Sequence, residues 1–178
     1  EGNLYGQVAV ETRDGGFLLL SSESCYSPNV IFHHGCTYAL FLVKTDARGD
    51  TLWSNQIESL NFSNIRVFEN EDKSFTLIGR YRQTFGCSGI IRIMNVSSTG
   101  TLTNTFDYTE NCELDLGDVF QTEDGNYLVA VNYGPELISV NPTVRRGEGQ
   151  LLRMDRNGNV LRKIIYTNIV PTGGVGVF

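Results

Sequence analysis

The chain contains an internal repeat, and this repeat limits the folds open to it more than any other feature. Residues 9–17, 67–75 and 119–127 share one pattern, in which a short acidic turn segment separates apolar residues from an aromatic one. Equivalent positions recur 58, 52 and 58 residues apart, at Ala9, Val67, Val119 and Val177. A fixed period of this length is typical of stacked supersecondary units. We expect three such units and the start of a further one, at about residues 7–58, 65–108, 117–166 and 174–178.

Each unit consists of four apolar runs separated by turn-forming residues. The first turn of a unit carries an acidic residue followed by Gly or Lys, and the second ends at Gly49, Gly100 or Gly158. Such residues between β-rich runs are the signature of hairpins, because Gly accepts positive φ without steric cost. No stretch shows sustained helical periodicity with capping residues. The sequence therefore predicts an all-β chain whose units each contain two hairpins joined by a long loop.

The two conserved blocks of the repeat read D-G-[GN]-[FY] and [KR]-x-D-x-x-G-[DN]-x-L. This pattern resembles the tandem blades of secreted bacterial β-propeller proteins, and the resemblance covers nearly the whole chain. The middle unit departs from it, with Asn95 and Ser97 at the positions of Lys44 and Asp46. The resemblance implies four-stranded antiparallel propeller blades. It implies little about activity, because one fold hosts many functions.

Three units are too few for a closed propeller, because known rings have about four to eight blades. We therefore expect either a longer propeller to which this chain contributes blades, or a second chain that completes the ring. The alternative fold is a β-trefoil, which closes with three four-stranded units. We rank it second, because trefoil units are usually shorter and the fold leaves the start of a fourth unit unexplained.

Composition narrows the classes of partner and activity. Apolar residues make up 40% of the 178 residues, and the net charge is −6, which is globular composition with a charge that repels nucleic acid. The longest apolar runs, such as residues 38–43, are too short to span a bilayer. The chain has no G-x-S-x-G, P-loop or dinucleotide-binding motif, so no cofactor is predicted.

Four cysteines indicate an oxidising compartment. None forms a C-x-x-C pair, which disfavours zinc ribbons and thioredoxin-like sites. Cys36 and Cys87 each precede a repeat glycine by 13 residues, so they occupy equivalent positions. We predict disulfides Cys25–Cys36 and Cys87–Cys112 in a secreted or cell-surface protein. Four buried free thiols in a cytosolic protein remain the alternative.

The long loops are the predicted binding surface. In a four-stranded meander the two tight turns lie at one end, whereas the loops near residues 22–37, 80–89 and 132–149 lie at the other. Long, divergent loops on a rigid sheet are where binding residues accumulate. The tyrosine, histidine, arginine and acidic residues that we expect to bind are Tyr26, His33, His34, Tyr81, Arg82, Glu113, Tyr133, Arg145 and Arg146.

Three short motifs are better explained by turns and exposed loops than by sites. His33 and His34 are the only histidines, too few for a metal centre that needs three or four ligands. The tripeptide Arg48-Gly-Asp50 matches an integrin-binding motif, but the turn already requires Gly49. Residues 155–159 place oxygen atoms at alternate positions, as in a calcium loop, but lack its distal Glu.

These observations favour a non-enzymatic extracellular binding or assembly domain that engages protein. We favour binding because an incomplete ring has open edges, and exposed edge strands pair with other chains. A carbohydrate-binding module is the second hypothesis, with aromatic and acidic loop residues around the sugar. A propeller-type glycoside hydrolase or lyase, with Glu113 and Glu148 as candidate carboxylates, is the third.

Overall fold

A computed structural model describes residues 3–24, 39–59, 62–81, 89–110, 114–133 and 148–167. These segments contain twelve β-strands and no helix, so the all-β prediction is confirmed for the described residues. The strands are β1 Asn3–Glu11, β2 Phe17–Ser24, β3 Ala39–Thr45, β4 Thr51–Ser59, β5 Phe62–Glu69, β6 Phe75–Tyr81, β7 Ile90–Val96, β8 Leu102–Tyr108, β9 Leu114–Gln121, β10 Tyr127–Tyr133, β11 Glu148–Met154 and β12 Val160–Thr167.

The strands form three antiparallel sheets, each a four-stranded meander in chain order. The first sheet contains β1–β4, the second β5–β8 and the third β9–β12. One sheet therefore corresponds to one predicted repeat unit. Every strand pairing in the described part of the chain lies within a single sheet. A β-trefoil requires strands of different units to pair and close a barrel, so this topology does not match that alternative.

In the described residues, six equivalent turns each join the two strands of a hairpin. In each, the first residue donates its N–H to the carbonyl of the fifth, and the fourth donates to the first, as in Asp46–Asp50 with bonds of 2.9 and 3.1 Å. The fourth residue has positive φ, and it is Gly in five turns and Lys73 (φ 65°) in the second sheet's first turn. This geometry is a type I turn followed by a left-handed residue, a standard three-residue hairpin loop.

The strands extend further than the repeat pattern predicted. The first two units lie closer together along the chain than the predicted bounds of 7–58 and 65–108 imply, because β4 ends at Ser59 and β5 begins at Phe62. The predicted loop residue Tyr81 ends β6, and Tyr133 ends β10. Both lie within the hydrogen-bonded ladder, paired with Ile90 and with Glu148. The sequence pattern missed these positions because polar residues at strand ends resemble loop composition.

The three sheets stack in chain order, with one apolar layer between each neighbouring pair. The layer between the first and second sheets includes Leu18, Leu42, Leu77 and Met94, each at most 1% exposed. The layer between the second and third sheets contains Ile78, Ile91, Val129 and Leu152 among others. Strand β5 contacts both β1 and β9, so the first strands of the sheets lie side by side. The second sheet is consequently buried on both faces.

Candidate functional site: the uncovered faces of the first and third sheets

The face of the first sheet that points away from the second sheet is apolar and uncovered. It carries Phe17, Leu19, Phe41 and Val43, which alternate along β2 and β3 with the buried residues facing the second sheet. We call these four residues the first-sheet open face. Phe17 is 38% exposed and Leu19 is 40% exposed. These are apolar strand residues at internal positions, and no strand in the described part of the chain packs over them.

The repeat shows what normally happens at these positions. The residues equivalent to Phe17 are Phe75 and Tyr127, and those equivalent to Leu19 are Leu77 and Val129. All four are at most 1% exposed, because a preceding sheet packs over them. The first-sheet open face thus belongs to a class of surface that is buried wherever a neighbouring sheet is present.

The third sheet has a matching uncovered face on its opposite side. We call Phe120, Leu128, Leu151 and Ile164 the third-sheet open face; the first two pair directly across β9 and β10. Phe120 is 66% exposed, whereas its equivalent in the second sheet, Phe68, packs against the ring of Tyr127 with centroids 5.3 Å apart. A shallow cavity of about 300 Å³ runs over Leu128, Leu151 and Ile164. Extended apolar surface of this kind marks an interaction site.

Charged residues border both open faces. Arg153 and Arg162 pair across β11 and β12 beside the third-sheet open face, and Arg153 forms an ion pair with Asp124. Beside the first-sheet open face lies the turn Asp46–Asp50. There the carboxylate of Asp46 accepts the N–H groups of Arg48 (2.8 Å) and Asp50 (2.9 Å). One face is therefore bordered by two arginines and the other by a turn with two carboxylates and one arginine.

The turn contacts also explain two of the motifs seen in the sequence. The backbone of Arg48, Gly49 and Asp50 is held by Asp46, with Gly49 at φ 90°, as the turn interpretation predicts. In residues 155–159, the Asp155 carboxylate accepts N–H groups from Asn157 (2.8 Å) and Asn159 (2.9 Å) rather than converging with other carboxylates. Within the described segments, no group of three or more His, Cys, Asp or Glu side chains is placed to hold a metal ion.

The first turn of each sheet contains an aspartate whose carboxylate accepts hydrogen bonds from neighbouring groups. The Asp14 carboxylate accepts bonds from the Thr12 hydroxyl (2.6 Å), the Lys44 ammonium (3.0 Å) and the Gly16 amide (3.1 Å). The Thr12 bond, followed by Lys44 and Gly16, holds the pKa of Asp14 well below its usual range. The equivalent Asp124, held chiefly by the Thr122 hydroxyl, has its pKa lowered to about 2.

Acid is expected to destabilise the protein through these turns. A carboxyl group whose pKa is lower in the folded than in the unfolded chain confers stability above its unfolded pKa, about 4, and loses it as the pH falls through the folded value. We therefore expect the melting temperature of the chain to fall as the pH is lowered from about 5 to about 2. For Asp14→Asn we expect a lower melting temperature at neutral pH and a smaller acid-induced change, measured by circular dichroism.

The exposed residue Thr105 in the outer strand β8 provides the control for this experiment. Thr105→Ala removes no titratable group, so its melting temperature is expected to change with pH as that of the unmodified chain does. A melting temperature that stays constant across the acid range, or an Asp14→Asn variant with an unchanged acid response, would contradict the assignment.

The loop end of the sheets carries a charged network in the described strands. Arg92 forms two 2.7 Å bonds to Asp107, and its guanidinium lies 3.9 Å from the ring centroid of Tyr81. At the outer edge, Glu110 accepts bonds from Tyr108 (2.9 Å) and from the Lys163 ammonium. Burial, together with the Glu110 carboxylate, raises the pKa of Tyr108 to about 12. Tyr81 thus has a packing partner in the second sheet, and its role in binding stays a prediction.

Most of the predicted binding residues lie outside the described residues. These are Tyr26, His33, His34, Arg82, Glu113, Arg145 and Arg146, together with all four cysteines of the predicted pairs Cys25–Cys36 and Cys87–Cys112. Tyr133 lies at the end of β10, where the structure describes its backbone. The loop-face site and both disulfides therefore stay predictions.

The tight-turn end contains a polar cleft that the sequence pattern did not indicate. A cavity of about 420 Å³ lies between the first turns of the three sheets, and Arg13, Glu71, Glu123 and Arg156 are among its lining residues. Its floor includes Asn70, whose amide oxygen accepts a bond from the Tyr127 hydroxyl at 3.4 Å. Only sheet stacking brings these turns together, since more than fifty residues separate them along the chain.

Comparison with known proteins adds no assignment. No protein-family model matches this sequence, and no curated protein is significantly similar to it. In the described residues no helix is long and apolar enough to cross a membrane. The two open faces are therefore the strongest indication of function in the described structure.

Proposed function

We propose that this chain is a β-propeller-type module that acts as a non-enzymatic extracellular assembly domain, binding protein through its two open sheet faces. The supporting observation is the contrast at one repeat position: Leu19 is 40% exposed, whereas Leu77 and Val129 are fully buried. Because this position is covered by a neighbouring sheet in two units, the surface around Leu19 in the first unit has the composition of a surface that packs against another sheet. The described features favour association over catalysis, because the open faces carry apolar and aromatic side chains.

The arrangement of the sheets supports the propeller interpretation. Each sheet is an up-and-down meander, successive sheets pack face to face, and the first strands β1, β5 and β9 lie side by side. In a propeller the first strands of the blades surround the axis in this way. Three blades fill only part of such a ring, which leaves one face uncovered at each end of the stack.

The apolar surface of each open face is large enough to contribute substantially to the free energy of binding. Burying an aliphatic or aromatic side chain contributes about 1.5–3 kcal/mol, and each open face presents four such side chains. Partial exposure reduces that gain, and association carries an entropic cost. The open faces therefore provide enough driving force for a partner that covers a whole face, and too little for one that touches a single strand.

The proposal predicts that the chain associates with itself, since it carries both kinds of open face. We expect its average mass, measured by sedimentation velocity, to rise above 19.8 kDa with concentration. Leu19→Lys places a charge in the middle of the first-sheet open face and should keep the chain at 19.8 kDa. The melting temperature of each variant, measured at low concentration, shows that the fold is retained.

Thr105→Lys is the control. Thr105 is exposed in the outer strand β8 of the second sheet, which contributes to neither open face, so the same charge placed there should leave association unchanged. A chain that stays at 19.8 kDa at every concentration would overturn the proposal, as would equal effects of the two lysine substitutions.

A further inference from the structure

Both interfaces between described sheets contain a hydrogen bond from a side chain of one sheet to the same turn position of the next sheet, although the donors occupy different repeat positions. The indole of Trp53 in the first sheet donates to the carbonyl of Ser98 (3.1 Å), and the amide of Asn95 in the second donates to that of Arg156 (3.1 Å). Ser98 and Arg156 are both the second residue of a tight turn in the following sheet. Each sheet therefore reaches across to the second turn of the next.

A side chain of the preceding sheet packs directly against the glycine in that turn, in the space that a Cβ atom would occupy. We call this space the seat. A Cβ atom on Gly100 would lie 2.6 Å from the Trp53 ring, and one on Gly158 would lie 2.9 Å from Phe106. At the equivalent Gly49 of the first sheet, no described atom lies within 4 Å of that point. The seat is thus filled at both existing interfaces and open on the first sheet.

Each interface also contains an aromatic pair, with the same repeat position in the following sheet and different partner positions in the preceding one. Trp53 packs edge-on against Phe75 at 6.4 Å, and Phe68 packs against Tyr127 at 5.3 Å. Phe75 and Tyr127 occupy the position of Phe17, while Phe120 occupies that of Phe68. Each open face therefore carries one half of this aromatic pair, and both halves are exposed.

The charged residues beside the two open faces are also complementary to each other. Arg153 is equivalent to Asn95, and Arg162 pairs with it across the strands as Trp53 pairs with Lys44. By analogy with the existing interfaces, both arginines would lie over the turn Asp46–Asp50 of a sheet packed on the third-sheet open face. That turn carries two carboxylates and Arg48, a net negative charge, and it exposes the Asp50 carboxylate, so it attracts the two arginines.

From these matched halves we infer that two copies of the chain pair head to tail, with the third sheet of each copy on the first sheet of the other. This inference rests on the proposed function and names the partner as a second copy. With the three sheets that the structure describes in each copy, two copies close a ring of six, within the range of about four to eight blades known for propellers. Both open faces of both copies are covered in this ring, which is closed and therefore finite.

The buried area fits a two-contact ring better than a single contact. Seven residues of strand are about 23 Å long and four strands span about 19 Å, so one face has an outline of roughly 440 Å². One contact covers two faces, roughly 900 Å², which is below the range of about 1,200–2,000 Å² for stable interfaces. Two contacts cover roughly 1,800 Å² and fall within that range.

Mixing two variants tests the arrangement. Phe17→Glu alters only the first-sheet open face and Phe120→Lys only the third, and each alone should stay at 19.8 kDa because every contact in the ring contains one altered face. An equimolar mixture should form a species of twice that mass at the same concentration. In this mixed dimer one contact is unaltered, and the other brings opposite charges together.

The control is Thr105→Lys, which places a charge on an exposed residue of the outer strand β8 in the second sheet, outside both open faces. This variant should dimerise as the unmodified chain does. Melting temperatures close to that of the unmodified chain establish that Phe17→Glu and Phe120→Lys are folded.

Several results would overturn the head-to-tail ring while leaving the proposed function intact. Dimers formed by Phe17→Glu alone or Phe120→Lys alone would show that like faces pair. Species that grow beyond two copies with concentration would show an open polymer or a ring of different size. A chain that never exceeds 19.8 kDa would instead contradict the proposed function itself.

Discussion

Replacing Leu77 by alanine is expected to lower the free energy of unfolding by about 3 kcal/mol, because it removes a fully buried side chain and leaves a cavity between the first two sheets. The same substitution at the equivalent Leu19 should cost only about 1 kcal/mol in the monomer, since that side chain is already 40% exposed. Chemical denaturation at low protein concentration measures both values. The slope with denaturant should be unchanged in each variant.

This pair of substitutions separates local propensity from packing. Both leucines lie in the second strand of their sheet, at the same place in the repeat, so strand propensity and hydrogen bonding are matched. The difference in unfolding free energy then measures the covering sheet alone. Equal losses at the two positions would show that the first-sheet open face is covered within the monomer, which would contradict the stacking order described above.

Gly100→Ala is expected to lower the free energy of unfolding by about 3 kcal/mol and to displace the only tryptophan of the chain. At φ 83° an alanine adopts the left-handed conformation at a cost of about 1–2 kcal/mol. Its Cβ would also overlap the Trp53 ring, and overpacking of this kind costs about 1–3 kcal/mol. We expect the fluorescence emission of Trp53 to move to longer wavelength as the ring leaves its site.

Gly49→Ala provides the control, because it has the same place in the turn and a similar φ of 90°, with no described atom near the added Cβ. It should cost only the conformational term of about 1–2 kcal/mol and leave the Trp53 emission unchanged. If both glycine variants shifted the emission equally, the contact between Trp53 and the second sheet's turn would be wrong.

The repeat pattern was sufficient to predict the strands and turns because both depend on local chemistry. Apolar alternation marks the strands, and glycine is favoured where the turn requires positive φ, as at Gly49 and Gly158. The pattern failed at Tyr81 and Tyr133, where the strands continue into segments of loop-like composition. There the hydrogen-bonded ladder with the neighbouring strand overrides local preference.

The sequence by itself predicted the three described units, their all-β character and the positions of their tight turns, whereas the further unit expected at residues 174–178 lies outside the described residues. It did not determine which apolar residues are covered. Leu19 and Leu77 have the same local pattern, and Phe17 and Phe75 are identical residues, yet one member of each pair is exposed. Only the tertiary structure decided this, because burial depends on whether a neighbouring sheet packs over the face, and that neighbour lies about fifty residues away along the chain.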